Sequence, residues 1–315
     1  MHNMFANNHF SGLASLIIAL LFLGDALPVQ AAENFNTPNA VYAQAVQIEK
    51  EINLLKRHYH ITATNPVTPI EAELLPRHVW QKTYIILIKT NIFLRRHALS
   101  GFSPVTQEPV LKIDPRENWG QIQRILTEIK IAKKYLGISA KVSPATAVKG
   151  KYPTDVFNKL NQVSYDMDTL NREPISPSYA YAEGLRLNED INVIMQKTNS
   201  IDTAVPPARN EEAQPLDALK MAFILMGEIQ RIQHQLGYAS FDFNVFRKID
   251  KETVVPADVF NMVSLCLGEL QIVKAQLGMI HSITLPAELQ KDKTPTEVTQ
   301  FLGYMTNKLR LITVN

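Results

Sequence analysis

Charged side chains recur at one position of a segment that is repeated along this chain. Thirteen residues after each of eight prolines, each half of the chain has three carboxylates and one lysine: Glu51, Lys89, Glu128 and Asp166, then Asp190, Glu228, Glu269 and Lys308. Carboxylates that face the core of a helical bundle can hold a pair of metal ions, but those sites also use Glu-x-x-His pairs. The sequence contains no Glu-x-x-His, and the residue after this position is mostly apolar. We therefore interpret the series as ion pairs between helices, and we expect no metal and no other cofactor.

The remaining reactive side chains lack the spacings of known catalytic motifs. The sequence has no His-Glu-x-x-His, no Cys-x-x-Cys-His, no Gly-x-Ser-x-Gly and no glycine-rich phosphate loop. The one cysteine, Cys266, lies in an apolar helical stretch and is predicted to be a buried thiol. Five histidines at or beyond helix ends are predicted to be solvated: His58, His60, His97, His234 and His281. We expect a protein that is not an enzyme, and an enzyme with an unrecognised active site stays open as an alternative.

An aromatic series occupies the fourth residue after six of the prolines. Its members are Tyr42, Trp80, Trp119, Phe157, Tyr181 and Phe260. Aromatic side chains at one repeat position are typical of core packing, so this series is predicted to fill the core near the helix starts.

The elements that must position these groups are helices. The eight prolines are Pro38, Pro76, Pro115, Pro153, Pro177, Pro215, Pro256 and Pro295, and apolar residues follow each at steps of three and four. Proline suits the first helical position, and acids two residues later (Asp155, Asp217, Asp258, Glu297) suit the positive end of the helix dipole. Four residues just before the prolines are predicted N-caps: Thr37, Asp114, Ser176 and Thr294. Glycines are predicted to end three of the helices in the left-handed conformation: Gly137, Gly237 and Gly278.

The proline spacing indicates an internal duplication. Successive prolines are almost evenly spaced, except that Pro153 and Pro177 lie much closer together than the others. The short interval divides the helices into four and four, and matched prolines of the two halves are separated by nearly equal lengths of chain. An amphipathic helix cannot bury its own apolar stripe, whereas four helices around a shared core can. We predict an all-α fold of two tandem four-helix bundle-like units, residues 32–172 and 173–315. An α-solenoid or a single eight-helix array is the alternative.

The N-terminal residues resemble an export signal. An uncharged apolar run at 13–23 is followed by Gly24 and Pro28 and by small residues up to Ala31. This order is typical of a secretory signal peptide, and the run is too short for a membrane span. We therefore predict that residues 1–31 are removed after Ala31, that the protein is periplasmic or secreted, and that the mature chain has no transmembrane helix.

Charge is distributed unequally between the halves. Residues 32–172 contain 19 Lys and Arg against 12 Asp and Glu, whereas residues 173–315 contain 13 against 17. In an up-down bundle the first and third helices would end together, and their basic residues would form one patch: Lys56, Arg57, His58, Lys130, Lys133 and Lys134. A further cluster, Arg95, Arg96 and His97, ends the second helix. These cations also suit the negative ends of the helix dipoles, which is the simpler interpretation.

Composition limits the possible partners. The chain has 315 residues, of which 46% are hydrophobic, and a formal net charge of only +2, so no global field attracts nucleic acid. We predict an exported helical interaction module that contacts a protein or another anionic partner through the basic patch. A periplasmic small-ligand sensor or binding domain is the first alternative. The oligomeric state stays open.

Overall fold

Eight α-helices make up most of the chain that the structure describes. The computed structural model describes residues 36–63, 67–99, 110, 112–172, 175–239, 241–247 and 254–314, and no strand occurs in these ranges. The helices are α1 (Pro38–His58), α2 (Pro76–Arg96), α3 (Pro115–Tyr135), α4 (Pro153–Asn171), α5 (Pro177–Lys197), α6 (Pro215–Gln235), α7 (Pro256–Gln276) and α8 (Pro295–Arg310). A short 3₁₀ helix, Phe243–Arg247, precedes α7. The predicted all-α fold is confirmed, whereas the predicted signal peptide, residues 1–31, lies outside the described residues.

Each helix begins at one of the eight prolines because the residues around it satisfy the free N–H groups of the first turn. The side chains of Thr37, Asp114 and Thr294 accept hydrogen bonds from first-turn N–H groups. Ser176 occupies the N-cap position without a capping hydrogen bond. In five helices the acid two residues after the proline accepts a hydrogen bond of 2.9 Å from the N–H before the proline: Glu117, Asp155, Asp217, Asp258 and Glu297.

The helix ends follow one pattern. The three predicted glycines have φ between 70° and 76°, and the residue after each bonds back to a carbonyl of the last turn. His60, Ala98 and Asn199 take the same left-handed conformation at the equivalent position after their own helices. The left-handed conformation after the helix therefore occurs even where the sequence lacks glycine. It is stabilised because it lets the following backbone N–H groups donate to carbonyls of the last helical turn.

The four helices of each half run parallel. Among α1–α4, each of α1 and α2 packs against both α3 and α4, and α5–α8 repeat this arrangement. At the start of the second set, Pro177, Pro215, Pro256 and Pro295 surround one small cavity. At the end of the first set, Tyr59 after α1 stacks on His97 after α2, with ring centroids 5.3 Å apart. The up-down arrangement that we assumed from the sequence is therefore wrong.

Long connections make the parallel arrangement possible. Helix α5, with 21 residues, is about 31 Å long, whereas the segment 198–214 that follows it can span up to about 55 Å when extended. This segment runs back along α8, where its carbonyls at Val205, Pro207 and Asn210 accept hydrogen bonds of 2.9–3.0 Å. Gly303 of α8 permits the close approach, since a Cβ there would lie 2.6 Å from the ring of Pro207. The segment 198–214 therefore lies along the side of the helices instead of crossing their ends.

The one short connection sets the direction of the second half. Residues 172–176 span at most about 17 Å, so α5 must begin near the end of α4. Helix α2 packs against α7, and His78 in the first turn of α2 lies 3.5 Å from Glu269 in the second half of α7. The two helices thus run in opposite directions, and the described residues belong to one compact unit. None of the described helices is long and apolar enough to cross a lipid bilayer.

Candidate functional site

Most of the recurring charged residues form ion pairs between helices, as the sequence predicted. Three pairs bury both charges: Glu51 with Lys133 and Asp166 with Lys56 at 2.6 Å, and Asp190 with Lys274 at 2.8 Å. In a fourth pair Lys89 is buried, whereas Asp168, 2.6 Å away, is partly exposed. Glu228 binds Arg310 at 3.0 Å, and Glu269 lies beside His78. Two members differ from the prediction. Glu128 lies 3.5 Å from Arg124 on its own helix, and Lys308 binds Asp202 of segment 198–214 at 3.2 Å.

Two of the six residues predicted to form the basic patch belong to these buried ion pairs, and the other four do not. Lys56 and Lys133 are buried and neutralised in the core of the first bundle, so they are not available to a partner. Arg57, His58, Lys130 and Lys134 are exposed at the surface. Buried and exposed basic residues are neighbours in the sequence, as in Lys56–Arg57 and Lys133–Lys134. Only the packing of the helices shows which of them is buried.

The parallel helices bring further cations to the same end. Arg95, Arg96 and His97 end α2, which finishes beside α1, and Arg172 after α4 donates a hydrogen bond to the carbonyl of Tyr59. Burial lowers the pKa of His97, and the charges of Arg96 and His58 lower it further. We call the exposed residues of this surface the basic end: Arg57, His58, Arg95, Arg96, Lys130, Lys134 and Arg172.

A cleft of about 510 Å³ lies between the two halves. Helices α2 and α4 form one wall, α6 and α7 form the other, and part of the α1–α2 connection closes one side. Its apolar lining includes Ile85, Phe157, Leu219, Phe223, Phe246, Met262 and Leu265. A concave, largely apolar space of this size with a few polar groups is typical of sites for small molecules.

The polar groups of the cleft converge from three helices. They include Lys82 and Lys89 of α2, Asn161, Tyr165 and Asp168 of α4, and Asp258 and Asn261 of α7. Lys89 is fully engaged, because its Nζ donates to Asp168 at 2.6 Å and to the Oγ and carbonyl of Ser164 at 2.8 and 3.1 Å.

Lys82 differs from the other buried lysines of the described residues. Five of the six have a carboxylate oxygen within ion-pair distance: Lys56, Lys89, Lys133, Lys274 and Lys308. The Nζ of Lys82 instead donates to the amide oxygen of Asn161 at 2.9 Å and lies 5.0 Å from the centroid of the Phe157 ring. Burial lowers the pKa of Lys82 to about 7; the charge of Lys89 also lowers it, while Asp168 and Asp258 oppose the shift.

Two acids of the cleft are shifted in the opposite sense. Burial raises the pKa of Asp258, although the N–H of Val255 and the two lysines favour its charged form. Burial also raises the pKa of Tyr165, with the charges of Asp258 and Asp168 adding to the effect. Opposed shifts of an amine and nearby acids in one cleft are typical of functional sites.

Other candidate groups follow the sequence predictions in most cases. Cys266 is buried, and burial raises the pKa of its thiol. Four of the five helix-end histidines are exposed, whereas His97 is half-buried. Of the aromatic series, Trp80, Phe157 and Phe260 are buried and the others are half-buried. Phe157 also lines the cleft, which the sequence did not indicate.

Sequence reasoning singled out only part of the cleft. Lys89 belongs to the recurring charged series, and Asp258 was identified as a helix-start residue. Lys82 carried no signal, because a lysine in the second turn of a helix is ordinary until its neighbours are known. No protein-family model, curated protein or solved structure matches the chain.

Proposed function

We propose that this protein binds a small, largely apolar molecule in the cleft between its halves. The observation that supports this most strongly is a buried lysine without a carboxylate partner in the wall of an apolar cleft. A buried charge that lacks a partner destabilises a fold, so its presence beside a cavity favours a role in binding. The proposal is the small-ligand alternative of the sequence analysis, and it requires no catalysis.

The cleft itself can be blocked by one substitution. Val245 lines the cleft from the 3₁₀ helix, whereas the neighbouring Asn244 is exposed and does not line it. We expect Val245→Trp to weaken binding of the fluorescent apolar anion anilinonaphthalene sulfonate by at least about tenfold, or about 1.4 kcal/mol. Asn244→Trp adds the same side chain outside the cleft and should leave the titration unchanged. Equal binding by both variants and the unsubstituted protein would contradict the proposal.

We propose the basic end as a second, separate binding surface, for an anionic partner. Convergence of the helix ends supports it, since Arg57 of α1 and Arg95 of α2 are exposed at the same end and have no carboxylate partner among the described residues. Exposed cations on one surface attract polyanions, and such attraction weakens with salt. The N-terminal segment supports export, so we propose that both surfaces act in a periplasmic or secreted protein.

Charge reversal tests the basic end. We expect Arg57→Glu with Arg95→Glu to elute from heparin at a clearly lower salt concentration, because two cations of one surface become anions. Lys197→Glu with Lys291→Glu changes the net charge equally at exposed sites of the second half and serves as the control. If both double variants elute together, net charge explains retention and the surface proposal is wrong.

A further inference from the structure

We propose that Lys82 forms a reversible imine with a small aldehyde or ketone whose remaining part is apolar. The inference rests on the proposed binding function of the cleft and identifies the chemical class of its ligand. It concerns an amine of the cleft wall, so it differs from a simple ion pair with a ligand.

The surroundings of Lys82 hold its amine without requiring it to be charged. The Oδ1 of Asn161 accepts a hydrogen bond from Nζ at 2.9 Å, and a neutral amine can donate this bond as well as an ammonium. The aromatic ring of Phe157 supplies a second, weaker contact. Burial also lowers the pKa of Lys89, two turns further along the same helix, but the charge of Asp168, which accepts a hydrogen bond from Lys89 at 2.6 Å, opposes this shift. Of these two amines, Lys82 is the one without a carboxylate within ion-pair distance, so we assign the reaction to Lys82.

Charged and titratable groups around Lys82 come from every wall of the cleft. They are Lys89 on its own helix, Tyr165 and Asp168 on α4, Asp258 on α7 and Glu71 of the α1–α2 connection. Burial and the positive charge of Lys89 lower the pKa of Lys82 to about 7, so a large share of the amine is neutral near pH 7. A desolvated lysine beside a second cation is a known route to an amine nucleophile.

The reaction balances without any oxidant or reductant. The lone pair of the Lys82 amine attacks the carbonyl carbon and a C–N bond forms. The carbonyl oxygen takes up a proton while the nitrogen loses one, which gives a neutral carbinolamine. The hydroxyl then leaves as water after a second protonation, and loss of the nitrogen proton leaves a neutral C=N bond. Asp258 and Tyr165 line the same cleft, and we assign them to give and receive these protons. Hydrolysis reverses every step, so the ligand is released unchanged.

The walls of the cleft indicate the rest of the ligand. Phe157, Phe223 and Phe246 contribute aromatic surface, and Ile85, Met262 and Leu265 contribute aliphatic surface. An apolar body would gain free energy by removing this surface from water. An aromatic or short aliphatic carbonyl compound fits this environment.

Reductive trapping of the full chain tests the inference. Benzaldehyde with cyanoborohydride at pH 7 converts any imine into a stable benzyl adduct, which peptide mass spectrometry locates. We expect Lys82 to be labelled at least about tenfold faster than the exposed Lys130 and Lys134, since burial favours the neutral, nucleophilic form of the Lys82 amine at pH 7. The labelling rate of Lys82 should level off above pH 7, whereas the rates of exposed lysines should keep rising.

Two variants separate the possible outcomes. Lys82→Arg keeps a cation but removes the nucleophile, so the fast label should disappear. Lys134→Arg should leave the fast label in place. Labelling in proportion to exposure, or an unlabelled Lys82 in a protein that still binds the fluorescent probe, would overturn the imine and leave the binding function intact. If the unsubstituted protein shows neither fast labelling of Lys82 nor binding of anilinonaphthalene sulfonate, the proposed binding function is wrong as well. The pH profile needs no variant and stays informative if Lys82→Arg does not fold.

Discussion

Lys82→Met should raise the free energy of unfolding at pH 7 by about 3 kcal/mol. The pKa of Lys82 is lowered from 10.5 to about 7 in the folded protein, and each unit of such a shift corresponds to about 1.4 kcal/mol. The full shift amounts to about 5 kcal/mol, from which we subtract the lost hydrogen bond to Asn161 and the contact with Phe157. Methionine keeps the length of the side chain and carries no charge to desolvate.

The pH dependence of this gain has a definite sign. Between pH 7 and pH 10.5 the unfolded chain binds a proton at Lys82 that the folded chain does not bind, so stability rises with pH in this window. The destabilising contribution of Lys82 is complete below pH 7 and disappears above pH 10.5. Urea unfolding of the unsubstituted protein and of Lys82→Met from pH 6 to pH 10 measures the difference. Curves that stay parallel across this range would contradict the assignment.

The same substitution at Lys274 should have the opposite effect. Lys274→Met is expected to lower the free energy of unfolding by about 3–5 kcal/mol, because it leaves a buried carboxylate without its cation. The Oδ1 of Asp190 accepts from Lys274 at 2.8 Å, and both side chains are almost completely buried. Thr284 and Gln271 donate to the Oδ2 of Asp190 at 2.6 and 2.7 Å, but neither supplies a charge.

A second variant separates the charge from the packing at Lys274. Lys274→Met combined with Asp190→Leu removes both charges and should recover most of the loss, since buried ion pairs are often replaceable by apolar residues of similar size. Urea unfolding at pH 7 gives both values. If the double variant is as unstable as Lys274→Met, lost packing or the hydrogen bonds of Thr284 and Gln271 explain the effect, and the ion pair does not.

Together the two lysines show how this fold treats buried charge. Lys274 is neutralised within the core and stabilises the bundle only as long as its partner remains. Lys82 is left without a carboxylate where the two halves leave an apolar cleft, and it lowers stability there. Residues that destabilise a fold are commonly retained where function needs them, so a more stable Lys82→Met variant would support the proposed binding site.

The amino-acid sequence alone determined the helices and much of their local chemistry. Each proline, with its neighbouring caps and acids, acts within one turn of the chain, so the starts of α1–α8 needed no tertiary information. The step of three and four residues identified the apolar stripes, and the charged series beside them was correctly interpreted as mostly ion pairs. The connection lengths also permit parallel helices, because a segment as long as 198–214 can return along the whole length of a helix before the next one begins. The up-down arrangement that we expected requires no such return, so it leaves connections of this length unexplained.

Only the tertiary structure decided which charges are paired and which are available. Lys133 and Lys134 are adjacent in the sequence, yet one binds Glu51 in the core and the other is exposed. Lys82 and Lys89 lie on one helix facing one cleft, yet only Lys89 has a carboxylate partner. The physical reason is that the electrostatic energy of a charge depends on the atoms within a few ångströms of it. In a bundle those atoms come from helices that are distant in the sequence, so no local pattern can specify them.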